Sequence, residues 1–253
     1  MPFSTNTPNH FLLSLSASDR DLIFPHLKTV TAPRETIIFK AEDTIERVYF
    51  PHSGIISLIV GVSTGQFVEA GMLGRNGVIG ASAALDGQIA LNTALGQADG
   101  GGTMIEASVL KRAAKESETL RIALVRQEHA LAAQTQQVAV CNALHELEER
   151  LSRWLLQCRD LLNSDTLPLT QEFLAQMLGV QRSSVTIVAR KLQAAGLISY
   201  RRGLIHVIDV EGLQDSCCEC YGAINTHFSK LIGWSPDVPA HDPATHKTDS
   251  PPL

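Results

Sequence analysis

The chain has 253 residues, 44% of them hydrophobic and 19% charged, enough to bury one sizeable core and equally compatible with two small domains. Its apolar runs, such as 54–62, are too short and too interrupted by Gly and Ser to cross a bilayer, and no basic segment followed by an apolar one opens the chain, so a soluble cytoplasmic protein without a membrane partner is expected. The formal net charge of -5 is unevenly spread: residues 166–210 hold Arg182, Arg190, Lys191, Arg201 and Arg202 against Glu172 and Asp209, a local +3 that leaves -8 for the remainder.

Residues 1–10 are polar and expected to be loose, and 11–27 reads as short helical segments around Ser18-Asp19-Arg20-Asp21. From Lys28 to about Lys111 the texture changes to short β-rich runs at 36–39, 48–50, 55–62, 66–69 and 103–105. Turn signals separate them at Pro51-His52-Ser53-Gly54, Asp86-Gly87 and Gly100-Gly101-Gly102. Strands at this spacing suggest a small antiparallel barrel or jelly roll. Gly74-Arg75-Asn76-Gly77 fits either an anion-binding turn, and so a candidate effector contact, or a plain hairpin tip.

Residues 117–163 contain no Pro or Gly and read as helix. Leu124, Leu131 and Val138 fall seven apart, with Gln127, Gln134 and Cys141 at the complementary positions. That spacing fits a two-stranded dimer seam, in which the glutamines would help to fix register, or an amphipathic helix lying on its own barrel. If Leu131 is central to the seam, a charge there should abolish dimerisation. A break is expected at 142–145. A second helix then carries an apolar stripe of Leu147, Leu151, Trp154, Leu155 and Cys158, and Asn163-Ser164-Asp165 punctuates the chain. Beyond Trp234 the composition predicts a disordered tail.

The stretch 169–208 is the most informative. Thr170 can cap a helix with apolar Phe173, Leu174, Met177 and Leu178, and Gly179 supplies a tight turn. In the helix that follows, Val185, Val188, Ala189 and Leu192 must face inward, which turns Arg182, Ser183, Thr186 and Arg190 outward. Two short helices joined by a Gly turn, the second presenting guanidiniums and hydroxyls at its start, is the helix-turn-helix pattern; Arg suits guanine and Ser or Thr either base edge. Residues 197–208 then form a hairpin whose tip, Arg201-Arg202-Gly203, can reach phosphates.

No nucleophile elbow, Walker loop or His-Glu-x-x-His occurs, so an enzyme is not expected, and no cofactor is implied. The five cysteines have no disulfide framework spacing. In Cys217-Cys218-Glu219-Cys220, a helix would put only Cys217 and Cys220 on one face. Two thiolates do not close a zinc site, although His206 or His227 could join them; packing of small apolar residues is the plainer expectation, and no metal is assigned.

The order of β-rich domain, long helix and winged helix-turn-helix resembles the Crp/Fnr superfamily of bacterial transcription regulators. The motifs that carry it are 48–54 (VYFPHSG), 71–80 (GMLGRNGVIG), 147–156 (LEERLSRWLL) and 169–203, and the resemblance runs from about Asn9 to Gly233. It implies an α+β protein: an N-terminal antiparallel β-roll sensor over 1–116, a dimerisation helix over 117–144 and a winged helix-turn-helix over 145–234, followed by a tail over 235–253. It further implies a homodimer on pseudo-palindromic double-stranded DNA, with Leu124, Leu131 and Val138 in the seam and Arg182 reading bases beside Ser183 and Thr186. Thr170, Arg190, Arg201 and Arg202 would lie against the DNA backbone. RNA polymerase and a small-molecule effector are further partners that such a regulator can take. The chain departs from the family's pattern at Ser183, where an acidic residue is usual, and at Ile187, where some members place arginine. It also lacks the Gly-Glu pair and the arginine that hold cyclic AMP: Ala81 and Ser82 follow Gly80, and 88–94 has no Arg or Lys. A phosphodiester there would lose its hydration without a cation in return, so the effector is not expected to be cyclic AMP. The competing reading is a ligand- or protein-binding β-roll with a non-specific DNA-binding domain.

Overall fold

A computed structural model of the chain describes residues 9–236, so the expectations for 1–8 and 237–253 lie outside the described residues. Two short helices open it, α1 (His10–Ser14) and α2 (Ala17–Ile23). Their free N–H groups are met by Asn9 and Ser16, whose side-chain oxygens accept from the backbone of Leu12 and Asp19.

Five strands follow: β1 (Lys28–Ala32), β2 (Ile37–Phe39), β3 (Arg47–Gly61), β4 (Phe67–Leu73) and β5 (Thr93–Glu106). They form one antiparallel sheet in the order β1-β5-β3-β4, with β2 also on β5. Two of the expected turns are not turns. The runs at 48–50 and 55–62 are one strand, β3, whose register against β5 shifts repeatedly between Pro51 and Ile56. Gly100-Gly101-Gly102 lies inside β5, opposite that irregular stretch. A Cβ on Gly100 would come within 2.2 Å of Ser53 O, and one on Gly102 within 2.2 Å of Phe50 O. Here glycine allows close backbone approach at a bulge, and the sheet bends where the sequence suggested that it stops.

The helical stretch divides into α3 (Ala107–Glu116), α4 (Glu118–Leu144) and α5 (Leu147–Leu162). Ser117 caps α4 by accepting from Leu120 N. The break falls at 145–146, and Asn163, with φ 50°, closes α5 in the left-handed region. Beyond it come β6 (Thr166–Leu167), α6 (Gln171–Leu178), α7 (Arg182–Ala194), β7 (Ile198–Arg201), β8 (Leu204–Val207), α8 (Val210–Asp215) and α9 (Cys220–Ile232). Strands β6, β8 and β7 form a small antiparallel sheet.

One hydrophobic core runs from the β3–β4 face of the large sheet through α5 into α6 and α7, while a second gathers α1, α2, α3 and the start of α4. At the junction of sheet and helices, Trp154 Nε1 donates to Glu69 Oε1 at 2.8 Å and the Arg34 guanidinium sits 5.3 Å over the Phe173 ring. Helix α9 lies along α4 with opposite polarity: Gln137 near the end of α4 donates to Cys220 at the start of α9, while Arg126 and Gln127 share a cavity wall with Lys230 and Leu231.

Leu124, Leu131 and Val138 all point into this interior. Leu124 and Val138 are buried within the chain and Leu131 is half-buried, because β4, the 81–85 turn and α9 cover that side of α4. Gln134 is engaged within the same chain as well: its Oε1 accepts from Met72 N at 3.0 Å, pressed against Gly71. The opposite face of α4 exposes Val125, His129, Ala132, Gln136, Ala139 and Ala143, a strict alternation of four and three.

Candidate nucleic-acid interface

Helix α6 starts at Thr170, whose Oγ1 accepts from Phe173 N at 3.2 Å, so this hydroxyl is already engaged as a cap. Gly179 ends the helix with φ 64°, its N–H bonding back to the carbonyls of Ala175 and Gln176. Three residues later α7 begins, with Val185, Ala189 and Leu192 buried beneath it and Val188 half-buried. Arg182, Ser183 and Arg190 are exposed along the outer stripe. Thr186 lies beside them, half-buried, with its hydroxyl held 2.7 Å from Gln171 Oε1 and 3.0 Å from Arg182 O. Gln181 makes no side-chain cap, which leaves the first N–H groups of α7 to solvent or to a phosphate.

Two features of this surface go beyond what the sequence assigned to it. Ile187 is 68% exposed in the middle of the polar stripe, an apolar contact suited to a thymine methyl. Gln171 anchors Thr186 from the neighbouring helix, a link that only the packing of α6 against α7 creates. Lys191, by contrast, is drawn off the stripe by an ion pair with Glu148 of α5.

Strands β7 and β8 pair from Ile198↔Val207 to Arg201↔Leu204, and Arg202 and Gly203 turn between them at φ 51° and 80°. Arg201 and Arg202 stand exposed at this tip. Stripe and wing together present four guanidiniums on one helix-turn-helix unit.

The 74–77 turn is a packed junction. Asn76 Oδ1 accepts from Gly74 N at 2.9 Å, Gly77 N donates to Gly74 O at 3.0 Å, and the Arg75 carbonyl accepts from His10 N at 2.7 Å. A Cβ at Gly74 would meet Gly54 O, and one at Gly77 would meet Gln127. Two of the turn's backbone donors, Gly74 N and Gly77 N, are thus engaged within the turn itself.

A cavity of about 380 Å³ opens between the 78–92 segment and α4, lined by Phe39, Leu58, Ile79, Ala90, Glu128 and Leu131 among others. No Lys or Arg lines it, whereas Asp86 and Glu128 do. Burial raises the Glu128 carboxyl above the ordinary carboxylate range, opposed by a backbone hydrogen bond from Ser82. Such a wall disfavours a phosphodiester.

Residues 149–216 match the Crp-like helix-turn-helix domain, and no curated protein matches the chain significantly. Among solved structures, FixK2 from Bradyrhizobium japonicum is similar at TM-score 0.67 and 16% identity, covering 76% of this chain and 98% of its own. A putative crp/fnr-family transcriptional regulator from Eubacterium rectale is similar at TM-score 0.63 and 20% identity, with 80% of this chain and 95% of that one covered. The c-di-GMP responsive global regulator CLP from Xanthomonas campestris gives TM-score 0.63 at 18% identity, covering 76% and 99%. Residues 149–216 therefore form a Crp-like helix-turn-helix domain. The chain as a whole shares the fold of these Crp/Fnr-type structures, combining an N-terminal antiparallel sheet, a long helix and a C-terminal helix-turn-helix region. Among the described residues no helix is long and apolar enough to cross a membrane.

Proposed function

We propose that the protein is a sequence-specific DNA-binding transcriptional regulator, acting as a homodimer on a pseudo-palindromic operator and responding to an effector other than a cyclic nucleotide. The observation that carries this reading is the exposed stripe of α7, Arg182, Ser183, Ile187 and Arg190, set beside the basic wing tip on an otherwise acidic chain. Arg182 is placed to reach a guanine edge from the first turn of α7, with Ser183 next to it and Thr186 fixing the helix against Gln171. Arg190, Arg201 and Arg202 take the phosphates that flank the groove, and Thr170, its hydroxyl capping α6, offers that helix's N-terminal backbone to the same strand.

The homodimer is assigned to the exposed face of α4. Its alternating four-and-three spacing is that of a two-stranded seam, and the alanines at 132, 139 and 143 permit close approach of two helices. The seam thus lies on the opposite face from Leu124, Leu131 and Val138. The effector is assigned to the cavity between 78–92 and α4, whose carboxylates favour a neutral or cationic ligand over a phosphate ester. Selection of bound duplexes from a random library, followed by titration of the selected site across salt concentrations, tests the reading. A palindromic consensus with a large specific-to-nonspecific ratio is expected, and binding that depends on salt but not on sequence would overturn it.

A further inference from the structure

At the far end of α4 from the effector cavity, four side chains with metal-binding chemistry meet. Cys141 and His145 come from the last turn and C-cap of α4, and Cys218 and Cys220 from the turn that opens α9. One ligand atom from each lies within 4.8 Å of all the others. Cys141 Sγ is 3.5 Å from Cys218 Sγ, and Cys220 Sγ is 3.5 Å from His145 Nδ1. A tetrahedral zinc ion, with Zn–S of about 2.3 Å and Zn–N of about 2.0 Å, sets its ligand atoms roughly 3.5–3.8 Å apart. The three cysteines are buried and His145 is half-buried, so the ligand atoms face each other inside the protein.

The surroundings complete such a site. Arg153, with only 2% of its surface exposed, donates from Nε to Cys141 Sγ at 3.2 Å and from Nη1 to Gln157 Oε1 at 2.5 Å. Among the described residues no carboxylate lies within ion-pair distance of Arg153. A buried cation without a carboxylate is costly unless another anion balances it, and a zinc ion bound by three thiolates and a neutral imidazole carries a net negative charge. On the other side, Glu219 Oε1 lies 3.4 Å from His145 Nε2, the outward nitrogen, which is the carboxylate–imidazole arrangement that orients metal-bound histidines. Gln137 Nε2 donates to Cys220 Sγ at 3.1 Å, as amides do toward ligating sulfur.

The geometry points to a structural Cys3His site for a zinc-class divalent cation, formed by Cys141, His145, Cys218 and Cys220. Sequence spacing alone misassigns this set. Residues 217–219 precede α9 instead of continuing as helix, so Cys218 and Cys220 converge while Cys217 turns away to the carbonyl of Cys218. His206 sits on the wing beside Thr166, and neither it nor His227 belongs to the cluster. The ion would join the end of α4 to the start of α9 and fix the α4–α5 corner from which the helix-turn-helix departs. On binding, the coordinating thiols release their protons to solvent.

The test is titration of the full, reduced, chelator-treated chain with Co(II), read by absorbance, followed by displacement with Zn(II). One equivalent per chain is expected, with the intense visible bands of a tetrahedral thiolate site and strong sulfur-to-metal charge transfer, and a rise in melting temperature on Zn(II) addition. Cys220→Ser should abolish those bands and Cys217→Ser should leave them intact. Glu219→Gln, at an exposed position that leaves folding undisturbed, should weaken binding about 10–100-fold. Failure of the reduced wild type to bind Co(II) would overturn the site, as would equal losses in Cys217→Ser and Cys220→Ser. Isolation of a Cys141–Cys218 disulfide from protein that takes up no metal would overturn it in favour of a redox pair. None of these readouts involves DNA, so the site stands or falls separately from the regulatory reading.

Discussion

Helices α7 and α4 both show a regular apolar repeat, yet only one of them could be oriented from that repeat. On α7 the apolar residues, Ile187 apart, occupy a single face and charged or hydroxylic residues the other, so burial of Val185, Ala189 and Leu192 leaves Arg182, Ser183 and Arg190 outside. On α4 small and apolar residues occur all round. One face, through Leu124, Ala130 and Val138, meets the sheet and α9, while the other, through Val125, Ala132 and Ala139, remains exposed. A helix with one apolar face has one solution, whereas a helix with two must be told which partner takes which.

The largest effects should come from separating the two faces of α4. Ala132→Glu places a carboxylate at the proposed seam, where two-fold symmetry would set it against its own copy. The variant is expected to sediment as a monomer and to lose about 10²–10⁴-fold in full-site affinity while keeping half-site binding. Leu124→Ala on the covered face should do the reverse, costing about 2–5 kcal/mol of stability in denaturant titration and leaving the dimer intact. Leu131→Glu, in the cavity wall beside Glu128, should likewise leave the dimer intact, and a monomeric variant would return the seam to this face. If Ala132→Glu remained dimeric, the exposed repeat would not be the seam.

What was legible in the sequence follows the same division. The order of elements, the capped α6, the Gly179 turn, the orientation of α7 and the two-arginine wing are all set by residues within a few positions of one another, so local chemistry sufficed. The continuity of β3 through Pro51–Gly54 was not legible, since a bulge and a turn use the same residues and only the pairing with Gly100–Gly102 distinguishes them. The inward face of α4 was not legible either, because it depends on α9, which arrives some 80 residues later and, with the turn before it, contributes half of the cysteine–histidine cluster. The same holds for the contact of Glu69 with Trp154, two residues joined only when α5 packs on the sheet.

That contact should be sensitive to pH. Burial lifts the Glu69 carboxyl to about 7, against hydrogen bonds from Ser57 and Trp154 and the charge of Arg153, which pull it down. Ser57 Oγ lies 2.6 Å from Glu69 Oε2 and 2.8 Å from Gln97 Oε1. Its single proton can serve one of them, which suits a protonated Glu69 donating to Ser57 and Ser57 donating to Gln97. Because the folded pKa exceeds the unfolded one, the folded state holds the extra proton between about 4.5 and about 7. Stability from this group should fall as pH rises through that window, by an amount on the order of 3 kcal/mol at most, and stay level above it. Asp160, raised by burial to about 6, acts in the same direction, so the informative quantity is the difference from Glu69→Gln. That variant retains a donor toward Ser57 and should be less pH-dependent than wild type in melts at pH 5 and pH 8. Parallel curves would show that Glu69 does not titrate in the window.

On the DNA side, Arg182→Ala should cost about 1–3 kcal/mol on the selected site and relax preference at one base position in each half-site, because a bidentate guanine contact disappears. Competition binding against singly substituted operators measures this. An equal loss on every sequence would move Arg182 from the base edges to the phosphates.

The smallest effect belongs to the wing, and it sharpens the contrast with α7 within the interface itself. Arg201 ends β7 and Arg202 occupies a left-handed turn position with φ 51°, so both guanidiniums are held at the tip by backbone geometry without a carboxylate partner among the described ion pairs. Groups placed this way can neutralise phosphates but have no scaffold to align them with a base edge. Each of Arg201→Ala and Arg202→Ala should therefore lower affinity for all sequences alike and reduce the slope of log K against log salt by about 0.9 for each phosphate left without its arginine. Between 50 and 200 mM salt that slope change amounts to only about 3–4-fold in affinity, so the slope, measured over several salt concentrations, is the sensitive quantity. An unchanged slope in both variants would take the wing out of the interface. A changed base preference would mean that the tip enters a groove and reads sequence, which would give the wing the role proposed for α7.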